Sequence, residues 1–139
     1  MKKLLKASIL ITLMLALLLT AISCKSSTDP WDDAKYTADT ELGQGSKTIT
    51  VIVKVNDHSV KFTIHTDASI VGDALVENDL IQGDIGEFGM YVKYVNGILA
   101  DYDVDQSYWM FYVNDEYVNF GVDGAQINES DVYKLEYTR

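Results

Sequence analysis

The sequence predicts an α+β domain with one mixed sheet of about five or six strands packed on one short helix. Residues 48–55 and 60–65 alternate apolar and polar side chains with the period of two that is typical of β-strands. Residues 71–75 then show the i, i+3, i+4 spacing of one apolar helix face. Several further strand patterns follow toward the C-terminus, and this order favours a single sheet crossed by a helix.

The first two strands are predicted to form a hairpin. Each has its apolar residues on one face, and the polar turn Asn56-Asp57-His58-Ser59 separates them. The predicted core-facing residues are Ile49, Val51, Val53 and Val55 in the first strand and Val60, Phe62 and Ile64 in the second.

A short helix is predicted within residues 69–79. Ser69 is a residue type that caps helix N-termini, and Val71, Ala74 and Leu75 form the apolar face. Gly72 weakens the helix, so we expect only a few turns.

Later strands are predicted at residues 90–95, 108–113, 117–120 and 132–137. The first ends at Asn96-Gly97, a dipeptide typical of hairpin turns. Residues 108–113 are apolar on both faces, which predicts a central strand that is covered on both sides.

The N-terminus has the pattern of a secretory signal, which we assign to residues 1–23. Basic residues up to Lys6 precede an uncharged run over residues 7–19, which is shorter than a bilayer-spanning helix. Ala21 and Ser23 are small residues at −3 and −1 from Cys24. This arrangement resembles the lipobox of bacterial lipoproteins, which implies a diacylglycerol on the Cys24 thiol and acyl chains such as palmitate.

The charge balance excludes several partner classes. The chain has 139 residues, 11 Lys and Arg, 21 Asp and Glu, and a net charge of −10. Three lysines belong to the leader, so residues 24–139 keep eight cations against all 21 acids, a net charge of −13. This charge argues against nucleic acid as a partner. An anionic membrane would also repel the domain, so only the lipid would hold the domain there. The single cysteine excludes an internal disulfide and a zinc site with two or more thiolates.

Residues 24–46 are predicted to be the lipidated cysteine and an acidic, flexible tether. Apolar residues are sparse there, and Trp31 and Tyr36 are expected to be unstructured or loosely docked. The folded domain is predicted over residues 47–139.

Catalytic and metal sites are weakly indicated. His58 lies in a predicted turn and His65 on a polar strand face, and no hydrolase, zinc-protease or phosphate-loop motif occurs. We therefore expect no enzyme activity, no cofactor and no resident metal. Asp101, Asp103 and Asp105 have the spacing of the first calcium-loop ligands. Gln106 and Tyr112 occupy the positions where an EF-hand needs Gly and an acid, so the EF-hand motif is incomplete. A looser calcium site is a weak candidate, and a solvated acidic loop is the favoured interpretation.

Aromatic residues are the strongest candidates for ligand binding. On a strand, Trp109 and Phe111 share one face, while Tyr108 and Tyr112 share the other. One of these faces belongs to the core, and an exposed Tyr or Trp face would form a recognition surface. The predicted ligand-binding residues are Tyr108, Trp109, Tyr112, Phe88 and Tyr91.

Several segments together resemble the transcobalamin-like C-terminal domain family (DUF4430). These are Ser69–Leu75, Gly89–Gly97, Tyr108–Asn114, Gly121-Val122-Asp123 and Asp131–Tyr137, and the resemblance covers about residues 48–138. It implies a β-grasp-like sheet that wraps one helix. In the animal cobalamin carriers, this domain covers one face of the vitamin while a helical barrel holds the other.

The sequence thus predicts a lipoprotein at the extracytoplasmic, cell-surface face of a bacterial membrane with a non-catalytic binding module. The resemblance implies cobalamin or another corrinoid as the candidate ligand, with the protein as an accessory to uptake. Two alternatives stay open: a module that docks a surface protein or glycan through its sheet edge or tyrosine face, and a structural spacer.

Overall fold

The structure is a computed structural model that describes residues 28–139. The predicted signal peptide and Cys24 lie outside the described residues. The strands are β1 (Thr40–Gly43), β2 (Lys47–Val55), β3 (His58–Thr66), β4 (Ile81–Gly86), β5 (Gly89–Val95), β6 (Ile98–Leu99), β7 (Tyr108–Val113), β8 (Glu116–Tyr117) and β9 (Val132–Thr138). The helices are α1 (Val71–Glu77) and α2 (Tyr102–Asp105), with 3-10 turns at Pro30–Asp33 and Val122–Gly124.

Six strands form a mixed sheet in the order β1-β3-β2-β9-β7-β8. The predicted hairpin is confirmed, since β2 and β3 pair antiparallel over their full lengths, with Val53 opposite Val60. Strands β1 and β9 run parallel to β3 and β2, whereas β7 runs antiparallel to β9. The predicted α+β class with a mixed sheet is therefore confirmed.

A second, three-stranded sheet has the order β4-β5-β6. The sequence pattern predicts β5 but shows residues 81–86 only as a stretch interrupted by glycines. The register of β4 shifts between Gln82 and Gly83, and a side chain at Gly83 would collide with the Tyr91 carbonyl of β5. Gly83 thus interrupts the strand pattern in the sequence, and it also allows the backbones of β4 and β5 to approach each other.

The hydrophobic core lies on one face of the six-stranded sheet. Helix α1 and the smaller sheet cover this face, and Leu75, Ile81 and Val95 are fully or almost fully buried against it. The helix is capped at Ile70 without a side-chain bond, so Ser69 does not act as the predicted cap. The buried residues from the large sheet are Ile49, Val51, Val53, Val60, Phe62, Ile64, Phe111, Tyr133 and Leu135.

The tether prediction is wrong for the part of it that the structure describes. Residues 40–43 form an edge strand of the main sheet, and Trp31, Tyr36 and Leu42 pack against the core. Asn96, which is completely buried, bonds both backbone groups of Tyr36, at 2.9 Å to its N–H and 2.8 Å to its carbonyl. These partners lie far away in sequence, so the local scarcity of apolar residues did not reveal them.

Strand β7 is also not covered on both sides. It lies next to the two-residue edge strand β8, and the face that carries Tyr108, Met110 and Tyr112 is only half-buried. Helix α1 and the small sheet complete the core on the opposite face. The face with Tyr108, Met110 and Tyr112 therefore lies outside the core. None of the helices within residues 28–139 is long and apolar enough to cross a membrane.

Candidate functional site

An open groove runs between β5, β7 and the segment that follows β8. Its volume is about 550 Å³, which is within the usual range for small-molecule sites. All of its lining residues are uncharged, and seven are aromatic. We call it the aromatic groove, and it is lined by Phe88, Met90, Tyr91, Val92, Tyr108, Trp109, Met110, Phe111, Tyr117, Val118, Asn119, Phe120, Gly121, Val122, Gly124 and Leu135.

The aromatic groove brings together four of the five predicted ligand-binding residues: Phe88, Tyr91, Tyr108 and Trp109. Phe88 is 94% exposed at the tip of the β4–β5 hairpin, and Tyr91 is about half exposed. Exposed rings beside an uncharged hollow offer a large, rigid contact area to a ligand.

Tyr112 does not line the aromatic groove. Its ring contacts Tyr117 edge-to-face, with centroids 6.1 Å apart, and the Lys134 ammonium lies 4.4 Å from its centroid. Lys134 also pairs with Asp115 at 2.9 Å, and this bond raises the pKa of the lysine above its usual value. The cation over the ring assigns Tyr112 to a polar network on the other sheet face.

Trp109 joins the two sheets and also forms a wall of the groove. Its indole N–H donates to the Lys93 carbonyl of β5 at 3.0 Å, and its ring meets Tyr137 edge-to-face at 5.6 Å. Lys93 is held in turn by Asp84 at 2.9 Å and Asp101 at 3.5 Å. The hydrogen bond that the Lys93 ammonium donates to Asp84 raises the pKa of Lys93. The relative position of β5 and β7, and hence the width of the groove, depends on this cluster.

The Gly121-Val122-Asp123 corner closes one end of the groove. The Asp123 carboxylate accepts the Met90 N–H of β5 at 2.7 Å. Any side chain at Gly89, which has a φ of +100°, or at Gly72 would collide with this carboxylate. Asp123 therefore bonds the corner to β5 and lies close against Gly72 of α1.

Sequence reasoning missed several wall residues, above all Val118, Asn119 and Phe120. The segment 117–120 was predicted as a strand, but only Glu116–Tyr117 pair with β7. Residues 118–121 leave the sheet and pass along the groove instead. The Gly121-Val122-Asp123 motif marks a corner after this segment, but it does not show where residues 118–120 leave the sheet.

A buried tyrosine supports the segment between this corner and β9. The Tyr133 hydroxyl accepts the Asn128 N–H at 2.8 Å and lies 3.2 Å from the Gln126 carbonyl. Burial raises the pKa of Tyr133 above its usual value, so the group is neutral and can donate and accept. Its stacking on Phe111, at 6.2 Å, connects this support to the floor of the groove.

Two of the three aspartates of the weak calcium candidate, Asp101 and Asp105, have structural partners of their own. Asp101 caps α2 by accepting the Asp103 N–H and pairs with Lys93. The Asp105 carboxylate accepts both the hydroxyl and the N–H of Ser107, and these bonds lower its pKa. The predicted acidic loop is thus a short helix. No group of three His, Cys, Asp or Glu side chains within residues 28–139 is arranged to hold a metal ion.

The two histidines lie against the N-terminal segment. His58 stacks on Trp31 with centroids 5.0 Å apart and lies 3.6 Å from Asp29. His65 pairs with Glu41 of β1 and lies 3.1 Å from the Thr48 hydroxyl. Neither histidine lines the aromatic groove.

Comparison with known proteins identifies one family and similar folds. The family model DUF4430, described as a domain of unknown function, matches residues 68–139. A structure described as a "putative metal binding protein" from Ruminococcus gnavus ATCC 29149 is 30% identical, with a TM-score of 0.63. That match covers 68% of this chain and 98% of the other. No match was found among curated proteins.

Haptocorrin, solved in complex with Cbi, is also similar, with a TM-score of 0.54. The identity is 16%, and the match covers 70% of this chain but 26% of haptocorrin. At this identity the likeness concerns the fold alone.

Proposed function

Because the chain belongs to the DUF4430 family, we propose that it is a non-catalytic ligand-binding module held on the extracytoplasmic face of a bacterial membrane by a lipid on Cys24. The observation that carries the binding role is the aromatic groove, an uncharged hollow with exposed aromatic rings at its rim. Such hollows, with a few polar groups nearby, are the usual form of a small-molecule site.

The proposed ligand is cobalamin or another corrinoid. A corrin ring presents a broad, largely apolar face, which suits a groove without charged lining. The likeness to haptocorrin supports this choice through the fold, and the family resemblance supports it through the domain's place in two-domain clamps. An open groove covers one face of such a ligand, so in this proposal an uptake partner covers the other.

The corrinoid proposal is tested by titrating the purified full chain with cobalamin and with cobinamide. We expect a saturable shift of the corrinoid absorption bands. Val118→Trp, which fills the groove, should abolish the shift. Val104→Trp, at a position that is 79% exposed on α2, is the matched control and should leave it unchanged. No shift at high micromolar ligand, or an equal shift with both variants, would overturn the corrinoid proposal.

A role without catalysis is supported by the contents of the groove. Nucleophilic catalysis needs a nucleophile with a base in hydrogen-bond reach, and general acid–base catalysis is most efficient with a group whose pKa lies near the operating pH. The lining contains hydroxyls of tyrosine but no His, Asp, Glu, Lys or Cys. The chemistry available at these walls is therefore stacking and hydrogen bonding.

The lipid anchor is tested at Cys24. We expect Cys24→Ala to lose metabolic palmitate label and to leave the membrane fraction, because acyl chains supply most of the membrane affinity of an anionic domain. Ser26→Ala, two residues away, is the matched control and should keep both properties. A Cys24→Ala protein that keeps its label would contradict the anchor.

A further inference from the structure

Strand β7 has an open edge inside the aromatic groove. Its neighbour β8 pairs only with Tyr112 and Val113, after a tight turn in which Asn114 and Asp115 both have positive φ. Beyond that pair, one bond follows on this side, from the Val118 N–H to the Phe111 carbonyl at 3.3 Å. The rest of β7, from Tyr108 to Met110, has no strand beside it in the described part of the chain.

The direction of each backbone group along β7 follows from two bonds. The Asn114 N–H donates to Val132 at the β9 side, at 2.8 Å, while the Phe111 carbonyl accepts from Val118 at the other side. Backbone groups of successive residues in an antiparallel strand point alternately to the two sides. The N–H and the carbonyl of Trp109 therefore both point into the open side, as does the Phe111 N–H.

These groups offer one donor and one acceptor on the same residue. This is the pair of bonds that an opposite residue in an added β-strand would exchange with Trp109. The walls beside this edge are apolar, so the alternate side chains of an added strand would find apolar contacts there.

The charged residues at the rim of the aromatic groove indicate the charge of the expected partner. Glu87 precedes Phe88 at the hairpin tip and Glu116 precedes Tyr117, and both acids are exposed. The nearest cations in these elements, Lys93 and Lys134, already pair with Asp84 and Asp115. A partner with Lys or Arg beside its apolar residues would match this rim.

The hairpin tip also presents an uncovered apolar surface. Phe88 and Ile85 are 94% and 77% exposed, far more than is usual for large apolar side chains in a folded domain. A strand placed along the groove would pass beside Phe88 and remove part of this surface from water.

We propose that the open edge of β7 takes an extended, cationic segment of another protein as an added strand, with Trp109 as the pairing residue. This inference rests on the aromatic groove being the binding surface of the proposed function and goes beyond it by naming a protein partner. The strand and the corrinoid use overlapping walls, so the two should compete.

The test uses the peptide Ac-Lys-Val-Lys-Val-Lys-Val-Lys-NH2 with the isotope-labelled full chain. At 90% occupancy we expect amide exchange at Trp109 to slow by about tenfold, because only the free fraction exchanges. Exchange within β2 and β3 should not change. A peptide with Glu in place of each Lys tests the rim charge, and one with Pro in place of the central Val tests strand pairing. Both should bind at least about tenfold more weakly, the former most clearly at low salt.

Peptide that saturates without slowing exchange at Trp109, equal affinity of the three peptides, or no binding at millimolar concentration would each overturn the added strand. A corrinoid titration of the same sample separates this result from the proposed function. Corrinoid binding without peptide protection overturns the added strand alone, and peptide protection without a corrinoid response overturns the corrinoid ligand alone.

Discussion

Trp109 shows how one residue can serve both the core and the groove. Its indole nitrogen is satisfied by the Lys93 carbonyl, which also accepts the Ala100 N–H at 2.8 Å. Its ring forms a wall of the aromatic groove, while its own backbone groups point to the open edge. Substitution of this side chain should therefore affect stability and binding together.

The stability effect is predicted for Trp109→Phe. The variant loses one hydrogen bond and some packing area but leaves the Lys93 carbonyl with its second donor. We expect a loss of about 1–2 kcal/mol in the free energy of unfolding, measured with urea. Trp31→Phe, which keeps its stacking on His58, is the control and should lose less. Equal losses in both variants would contradict the bridging role.

Asp105 makes the stability depend on pH on the acid side. Its pKa is lowered from 3.8 by the bonds from Ser107, so its stabilising effect is present above that value and is lost as pH falls through the folded-state pKa. We expect Asp105→Asn to be less stable than the parent at pH 7 and the difference to shrink below about pH 4. Urea unfolding across this range measures it. Asp103→Asn, an exposed neighbour, is the control, and a gap for Asp105→Asn that widens with acid would contradict the assignment.

At the scale of elements, the sequence predicts what is periodic and local. The β2–β3 hairpin, α1 and the last strand have their own patterns, and the structure contains all three. The edge strand β1 and the strand β4 have weak strand patterns in the sequence. They form because of the strands they pair with and because of their glycines, and not because their own side chains alternate. Family membership and the transcobalamin-like fold were likewise predictable and are confirmed.

The candidate site was predictable in part. Alternation along β7 places Trp109 and Tyr112 on opposite faces, but it does not show that residues of both faces, such as Tyr108 and Trp109, line one hollow. The departure of residues 118–121 from the sheet decides that, and it depends on the Asp123 bond to Met90. A single sequence contains no signal for such a distant pairing.

Docking of the N-terminal segment on the core should contribute to the stability of the domain. Tyr36 packs edge-to-face on Phe62, with centroids 5.6 Å apart, so Tyr36→Ala should lower the free energy of unfolding by about 2 kcal/mol. A flexible tether would give a change near zero. Tyr102→Ala, at a tyrosine that is 55% exposed, is the matched control and should lose less. A Tyr36→Ala protein as stable as the parent would contradict docking of this segment.

For the whole molecule, docking of residues 28–46 shortens the connection to the proposed anchor. Four residue steps separate Cys24 from Thr28, and they span at most about 14 Å. The predicted tether of about 22 residues would have had a root-mean-square span of roughly 26 Å and a far longer reach. A lipid on Cys24 would therefore hold the domain, including the groove, close to the bilayer.

Energy transfer from Trp31 to a dansyl headgroup lipid tests this distance. In the Trp109→Phe background, Trp31 is the sole tryptophan. We expect efficient transfer in vesicles that contain the lipidated protein, and a clear decrease when a 16-residue Gly-Ser linker is inserted after Ser26. An inserted linker of the same length after Arg139 is the control. Transfer that does not change with the first insertion would contradict the short connection.

Hydrogen exchange of the full chain, with and without saturating cobinamide, tests whether the aromatic groove is the ligand site. We expect slower exchange in residues 88–92 and 117–122 and unchanged exchange in β2 and β3. Protection that appears elsewhere and leaves these two segments unchanged would contradict it.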